Sequence, residues 1–187
     1  EGHTKCLATI EKNKVNLPYE MWSMDKITPD TDALDKWKRA YTGPYVISSK
    51  LDGVSALYTT ENKEPKLYTR GDGLIGQDIS HLIPYLQLPV YKTLKGVEDL
   101  VVRGEIIIKK AIFQEKYAKQ FANPRNFVAG VVNQKTLDPS VIADLSFIPY
   151  ELIKPETIPS MGLHFCLGRD PIYVRHIIAE HKEVTNE

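Results

Sequence analysis

The 187 residues carry 24 Lys or Arg against 24 Asp or Glu, a formal net charge of zero, which excludes a polycation that finds nucleic acid through its overall field. The two cysteines, Cys6 and Cys166, lack metal-ligand spacing and fit a reducing compartment; no signal peptide opens the chain, and no apolar run nears the roughly 20 residues of a transmembrane helix. The expectation is a soluble intracellular protein, one domain with ragged ends and long enough to bury a real core.

In chain order, the first residues are polar and mixed, a lead-in arm over 1–16, and Pro18 introduces the apolar cluster Met21, Trp22 and Met24. A helix is predicted from Thr28, where Thr28 and Asp30 are capping types, Pro29 suits a first turn, and Leu34, Trp37 and Tyr41 recur at helical spacing until Gly43-Pro44 ends it. Strands are predicted over Tyr45 to Lys50, Val54 to Thr60 and Lys66 to Arg70, an antiparallel meander with a turn at Glu61 to Pro65.

Between the first two runs lies the tetrapeptide KLDG, Lys50 to Gly53, and two readings fit it. Asp-Gly is turn chemistry, so the segment could be a plain hairpin connection. The other reading is a lysine nucleophile for phosphorus: an amine that must lose its proton, an acid close by, and a glycine where the backbone turns tightly. Lysine attacks only when neutral, and its ordinary pKa of about 10.4 leaves little free amine at pH 7 without help.

Next comes the glycine-rich stretch GDGLIGQD, Gly71 to Asp78, and a short helical segment near Ile79 to Tyr85. Its glycines match G-x-G-x-x-G, but that fingerprint requires a βαβ unit and an open phosphate cradle; here the flanking strands read as antiparallel and Asp72 places negative charge inside the loop. Leu100 to Ile108 is the strongest strand, interrupted by Arg103-Gly104-Glu105. Either this is an edge or a bulge at Gly104 with both charges solvated, or the pair projects into a site. A helix follows at Ala111 to Gln120. Another begins at Asn123, an N-cap followed by Pro124, which puts Arg125 in a positive first turn suited to an anion. From Lys95 to Lys135 eight basic residues face four acids, an excess that a solvated helix face also explains. LSFIPYEL, Leu145 to Leu152, reads as an apolar strand, and one further strand or helix is expected near Ile172 to Ile178. The opening on Glu1 and the polar close, His181 to Glu187, suggest a piece of something longer.

Read together, KLDG, YTRGDGLIGQD, VVRGE, FANPRN, LDP and FIPYE resemble the adenylation domain of NAD-dependent DNA ligases, especially the compact viral kind, over Leu17 to Ile153. The resemblance implies an α+β nucleotidyltransferase (adenylation) core with antiparallel sheets and flanking helices, incomplete over residues 17–187 and preceded by an arm or remnant of another module. It implies that Lys50 attacks the α-phosphate of NAD and holds AMP, that Asp52 deprotonates or orients the amine, and that Gly53 lets the backbone approach the nucleotide. Arg70 matches the arginine of TRGDG, Glu105 the glutamate that bonds the ribose hydroxyls, and Arg125 an arginine tied to phosphate or DNA. Tyr150 matches the aromatic that stacks on adenine, although a core tyrosine would look the same. Lys50, Arg70 and Arg125 supply the cations that phosphoryl transfer needs, and their proximity would favour the free amine.

Nicked duplex DNA as partner, a divalent metal such as Mg²⁺, a monomer, and the cytoplasm or nucleus of an infected cell for a viral enzyme are further implications; no ligand cluster in the sequence specifies the metal. Ser48 stands where bacterial relatives carry glutamate, and Asn133 where they carry arginine. No DGVVIK-like segment follows Tyr150, and the module that grips the nicotinamide half and the domains that clamp the nick are not found, so this piece is expected to bind AMP weakly and not to turn over NAD. An ATP- or GTP-dependent lysine nucleotidyltransferase, or a non-catalytic nucleic-acid-binding module on the same fold, are the alternatives; TRGDG and FANPRN disfavour the first.

Overall fold

The computed structural model describes residues 14–23, 26–28, 31–42, 50–88 and 99–155. Its centre is a four-stranded sheet in which every neighbouring pair is antiparallel. In spatial order the strands are β3 (Lys66–Thr69), β2 (Val54–Thr59), β5 (Val101–Ile108) and β6 (Leu145–Lys154). A second ladder pairs β1 (Lys14–Asn16) with β4 (Ile75–Gln77), so part of the expected arm is strand and the glycine-rich loop contains one. The strand expected over Tyr45 to Lys50, Cys6, Cys166 and the segment Ile172 to Ile178 lie outside the described residues, apart from Lys50 itself.

Alternation along β2 and β5 separates two faces. Ala56, Val102, Ile106 and Ile108 enter the main core beneath the helices, whereas Leu57 and Val101 are buried on the opposite side with Met21. That opposite side is roofed by the lead-in, residues 17–23. The amides of Leu17 and Met21 donate to the carbonyls of Leu74 (2.8 Å) and Gly73 (2.9 Å). Tyr19 donates to Glu61 Oε1 (2.8 Å), which also takes Lys154 Nζ (2.6 Å). Arg103 donates from Nε to the Glu20 carbonyl (3.0 Å) and pairs with Glu151 (2.9 Å). Of the two charges inside β5, Arg103 is therefore a staple between sheet and lead-in.

α1 (Ala33–Ala40) begins later than its capping residues suggest, because Thr31 Oγ1 donates back to the Thr28 carbonyl (2.8 Å) and closes a turn first. The segment after Asp78 is a 3₁₀ helix, Ser80–Tyr85, with Asp78 accepting from the Ser80 amide (2.9 Å) and Leu82 buried. α2 (Lys110–Lys116) stops short of Gln120.

α3 (Pro124–Val132) starts where its cap predicts: Asn123 Oδ1 accepts from the Asn126 amide at 2.8 Å. Phe127 anchors it to α2 and the turn that follows, stacked on Tyr117 with ring centres 4.1 Å apart and edge-on to Phe121 at 5.1 Å. Tyr117 in turn donates to Asp144 Oδ2 (2.6 Å), just beyond α4 (Pro139–Ile142); burial and that carboxylate push its phenol up to about 12, so it remains a donor at working pH. Phe127→Ala is expected to cost about 3–5 kcal/mol, measured by chemical denaturation, since it empties the centre of this aromatic group.

Candidate active site

β2 is preceded by the loop 50–53, with Lys50 and Asp52 exposed and Gly53 buried. A side chain at Gly53 would put its Cβ 2.0 Å from the Ile106 carbonyl oxygen, so only glycine lets the loop lie directly on β5. The contact delivers a hydrogen bond: the Gly53 amide donates to Glu105 Oε1 at 3.2 Å.

Glu105 is 8% exposed and sits in register with Ser55, whose hydroxyl donates to Glu105 Oε2 at 2.8 Å. The solvated-edge reading of Glu105 is therefore incorrect. Burial raises its pKa, opposed by the donors Ser55 and Gly53 and by the positive charges of Lys50 and Arg125. Those two cations thus act on the carboxylate from separate elements, the loop and the first turn of α3. Arg125 Nη1 also meets Asp52 Oδ1 at 3.4 Å. With side chains 59% and 67% exposed, that pair is solvent-screened and costs little to open.

The bulge expected at Gly104 lies on the facing strand. Pro149 pairs with Gly104 and Glu151 with Arg103, leaving Tyr150 as an extra residue of β6; a second shift, with Leu152 on Val102 and Lys154 on Val101, skips Ile153. Gly104 accommodates the irregularity, because a Cβ there would approach the Phe147 ring to 2.5 Å. The bulge keeps Tyr150 half-buried near Glu105: its pKa is raised by burial and by the negative charge of that carboxylate.

Arg70 joins the group through its backbone, the amide donating to the Ser55 carbonyl (3.1 Å), while its guanidinium donates to Ser23 Oγ of the lead-in (2.7 Å). Lys50, Asp52, Gly53, Glu105 and Arg125 are thus connected, Tyr150 is close enough to feel the Glu105 charge, and Arg70 borders them. Asp72 accepts the amides of Leu74 (2.9 Å) and Ile75 (2.8 Å), bonds that lower its pKa and consume the donors a phosphate cradle would need. Asn133 is at the far end of α3 from Arg125, its amide donating to the Ala129 carbonyl (2.8 Å); Ser48 lies outside the described residues.

Among the described residues, no three His, Cys, Asp or Glu come together as metal ligands. Glu105 is held by two donors and no third carboxylate or imidazole of the described residues joins it and Asp52, so these residues do not fit a divalent ion in a protein cage. Ser55 was not among the sequence candidates. Its signal was a small hydroxyl near the start of β2, at a position whose alternation faces away from the main core.

Antiparallel strands that carry a lysine-bearing loop onto a buried acid, with a helix-borne cation opposite, form an α+β nucleotidyltransferase core of the adenylating class. A family model of the NAD-dependent DNA ligase adenylation domain matches residues 9–164, and the chain belongs to that family. It is 47% identical over 150 residues to a DNA ligase of Acanthamoeba polyphaga mimivirus, covering 79% of this chain and 23% of the relative. It is 38% identical over 126 residues to a DNA ligase of Clostridioides difficile (strain 630), covering 61% and 18%. The chain thus spans less than a quarter of either relative's length. Among the described residues, no helix is long and apolar enough to cross a membrane.

Proposed function

We propose that this chain is the AMP-accepting part of a ligase that seals nicks in duplex DNA, with NAD as the AMP donor. Lys50 Nζ attacks the α-phosphorus of NAD; a P–N bond forms, the bond to nicotinamide mononucleotide breaks, and the amine proton leaves to solvent or Asp52. AMP then passes to the 5′-phosphate at a nick, and attack by the 3′-hydroxyl closes the strand and releases AMP. Glu105 accepts from the ribose hydroxyls, Tyr150 stacks on adenine, and Arg125, on leaving Asp52, meets phosphate; Arg70 borders the nucleotide from the next strand. Gly53 keeps the loop against the acid. The enzyme works as an intracellular monomer, in the cytoplasm or nucleus of an infected cell where its source is viral, and a divalent ion such as Mg²⁺ accompanies the nucleotide phosphates.

One observation carries this reading: the Glu105 carboxylate is held by the amide of the loop that bears Lys50, so the grip on the sugar and the placement of the attacking amine share one geometry. The test is to incubate the full-length parent with NAD or ATP, each labelled in the adenylate. Label on Lys50 from NAD is expected. Label from ATP alone would reject the donor and favour the ATP-dependent alternative.

A further inference from the structure

Arg103 stands where the proposed site meets the part of the sheet that the lead-in covers. Along β5 it is two residues from Glu105 and two from Val101, so the three side chains leave one face, with Glu105 in the site and Val101 clustered with Met21 of the lead-in. The facing strand repeats the division. Ser55 bonds Glu105, whereas Leu57, in register with Arg103, is buried with Met21.

At this boundary the guanidinium uses two of its edges. Nε (3.0 Å) and Nη2 donate together to the Glu20 carbonyl, and Nη1 meets Glu151 Oε2 at 2.9 Å. The Arg103 side chain is only 23% exposed, so water competes less for these bonds than for a surface pair. Glu151 directly follows Tyr150, whose phenol feels the charges of Glu105, Glu151 and Arg103. Farther along the lead-in from Glu20, Ser23 Oγ accepts from Arg70 Nη1 at 2.7 Å. One side chain on the strand of Glu105 thus fastens both the segment that reaches Arg70 and the residue next to Tyr150. We propose that Arg103 is a positioning residue that, through Glu20 and Glu151, holds the lead-in and the β6 bulge as two sides of the nucleotide site, in fixed relation to Glu105. This rests on the nucleotide-binding reading of the site given above.

The test uses Arg103→Met and Arg103→Lys in the full-length ligase, following AMP transfer from NAD to Lys50 against NAD concentration, together with hydrogen exchange of single amides. Arg103→Met, which keeps a long side chain without donors, is expected to raise the KM for NAD about tenfold, the effect of losing a charge-assisted hydrogen bond, with kcat within about threefold. The amides of Leu17 and Met21, bonded to the Leu74 and Gly73 carbonyls, should exchange about tenfold faster or more, while those of the ladder between β2 and β5 keep their protection. Arg103→Lys keeps the charge but not the paired donors, and should stay closer to Arg103→Met than to wild type. Ser23→Ala, a change at an exposed residue, should raise KM about threefold in the wild type and little in Arg103→Met, because the serine reaches Arg70 only while the lead-in is held.

An unchanged KM in Arg103→Met, even with a lowered melting temperature, would leave Arg103 a role in the fold alone and overturn the proposal. Unchanged exchange at Leu17 and Met21, a lysine variant equal to wild type, or fully additive losses with Ser23→Ala would each do the same. If Arg103→Met does not fold, Arg103→Lys carries the same comparison of KM, exchange and coupling. Wild-type enzyme that takes no label from NAD would sink the underlying site assignment and this inference with it. Labelled wild type with an indifferent Arg103→Met sinks the role of Arg103 alone.

Discussion

Lys50→Ala in the full-length ligase is expected to abolish covalent AMP transfer from NAD and, with it, nick sealing, a loss on the order of 10⁴-fold or more because removing a nucleophile removes the reaction path itself. Lys50→Arg should be equally inactive, since it keeps the positive charge near Glu105 but offers a guanidinium that does not deprotonate. The pair separates nucleophile from counter-charge. The measurement is retention of labelled adenylate on the denatured protein, with melting temperature as the control for folding. Lys50 is exposed at the head of its loop, so neither change should disturb the core. Sealing that survives Lys50→Ala would return KLDG to the simpler role of a strand connection.

Glu105→Gln is expected to move function and stability in opposite directions. Nucleotide capture should weaken by about 10- to 100-fold, because an amide replaces the charged acceptor that the proposed function assigns to the ribose hydroxyls. Stability near neutral pH should rise. Burial holds the folded pKa of Glu105 above its ordinary value of 4.5. Its favourable contribution to folding is therefore fully present below that value and is lost as pH rises through the folded pKa. At neutral pH the wild type carries the cost of a buried charge that glutamine avoids, so the advantage of the variant should shrink as pH falls below the glutamate range. Denaturant unfolding at both pH values, beside calorimetric titration with AMP, tests both parts. A variant less stable near neutral pH would mean that the donors at Gly53 and Ser55 outweigh burial.

Features governed by short stretches of chain were legible in advance. Asn123 and Pro124 announce α3 because cap and first turn are adjacent, and β5 was evident from its β-branched run. Glu105 drew notice as an acid in such a strand; cross-strand neighbours decided between solvent and site, and no local pattern contains them. The same limit hid Ser55, whose meaning comes from being in register with Glu105, 50 residues away. It also hid the lead-in roof, where Tyr19, Glu61 and Lys154 meet from three distant segments. Gly104 attracted the bulge prediction because glycine tolerates irregular backbone, yet the extra residue is on the facing strand and Gly104 makes room for Phe147. The ordering of loop, acid and cation was clear from motifs, whereas Arg70's attachment to Ser23 depends on how residues 17–23 pack.

Leu145 and Phe147 occupy odd positions of β6 and lie in the main core, yet farther along the strand it is the even-numbered Leu152 that packs there. The extra residue at Tyr150 changes the strand's parity. Substitution and deletion at this one position should therefore have different reach across related sequences. A new side chain at 150 changes only what stands at the bulge, while loss of the residue would turn the following side chains over to the wrong face and expose Leu152. The number of residues between Phe147 and Leu152 should therefore be fixed in related chains, a spacing that can be checked by counting.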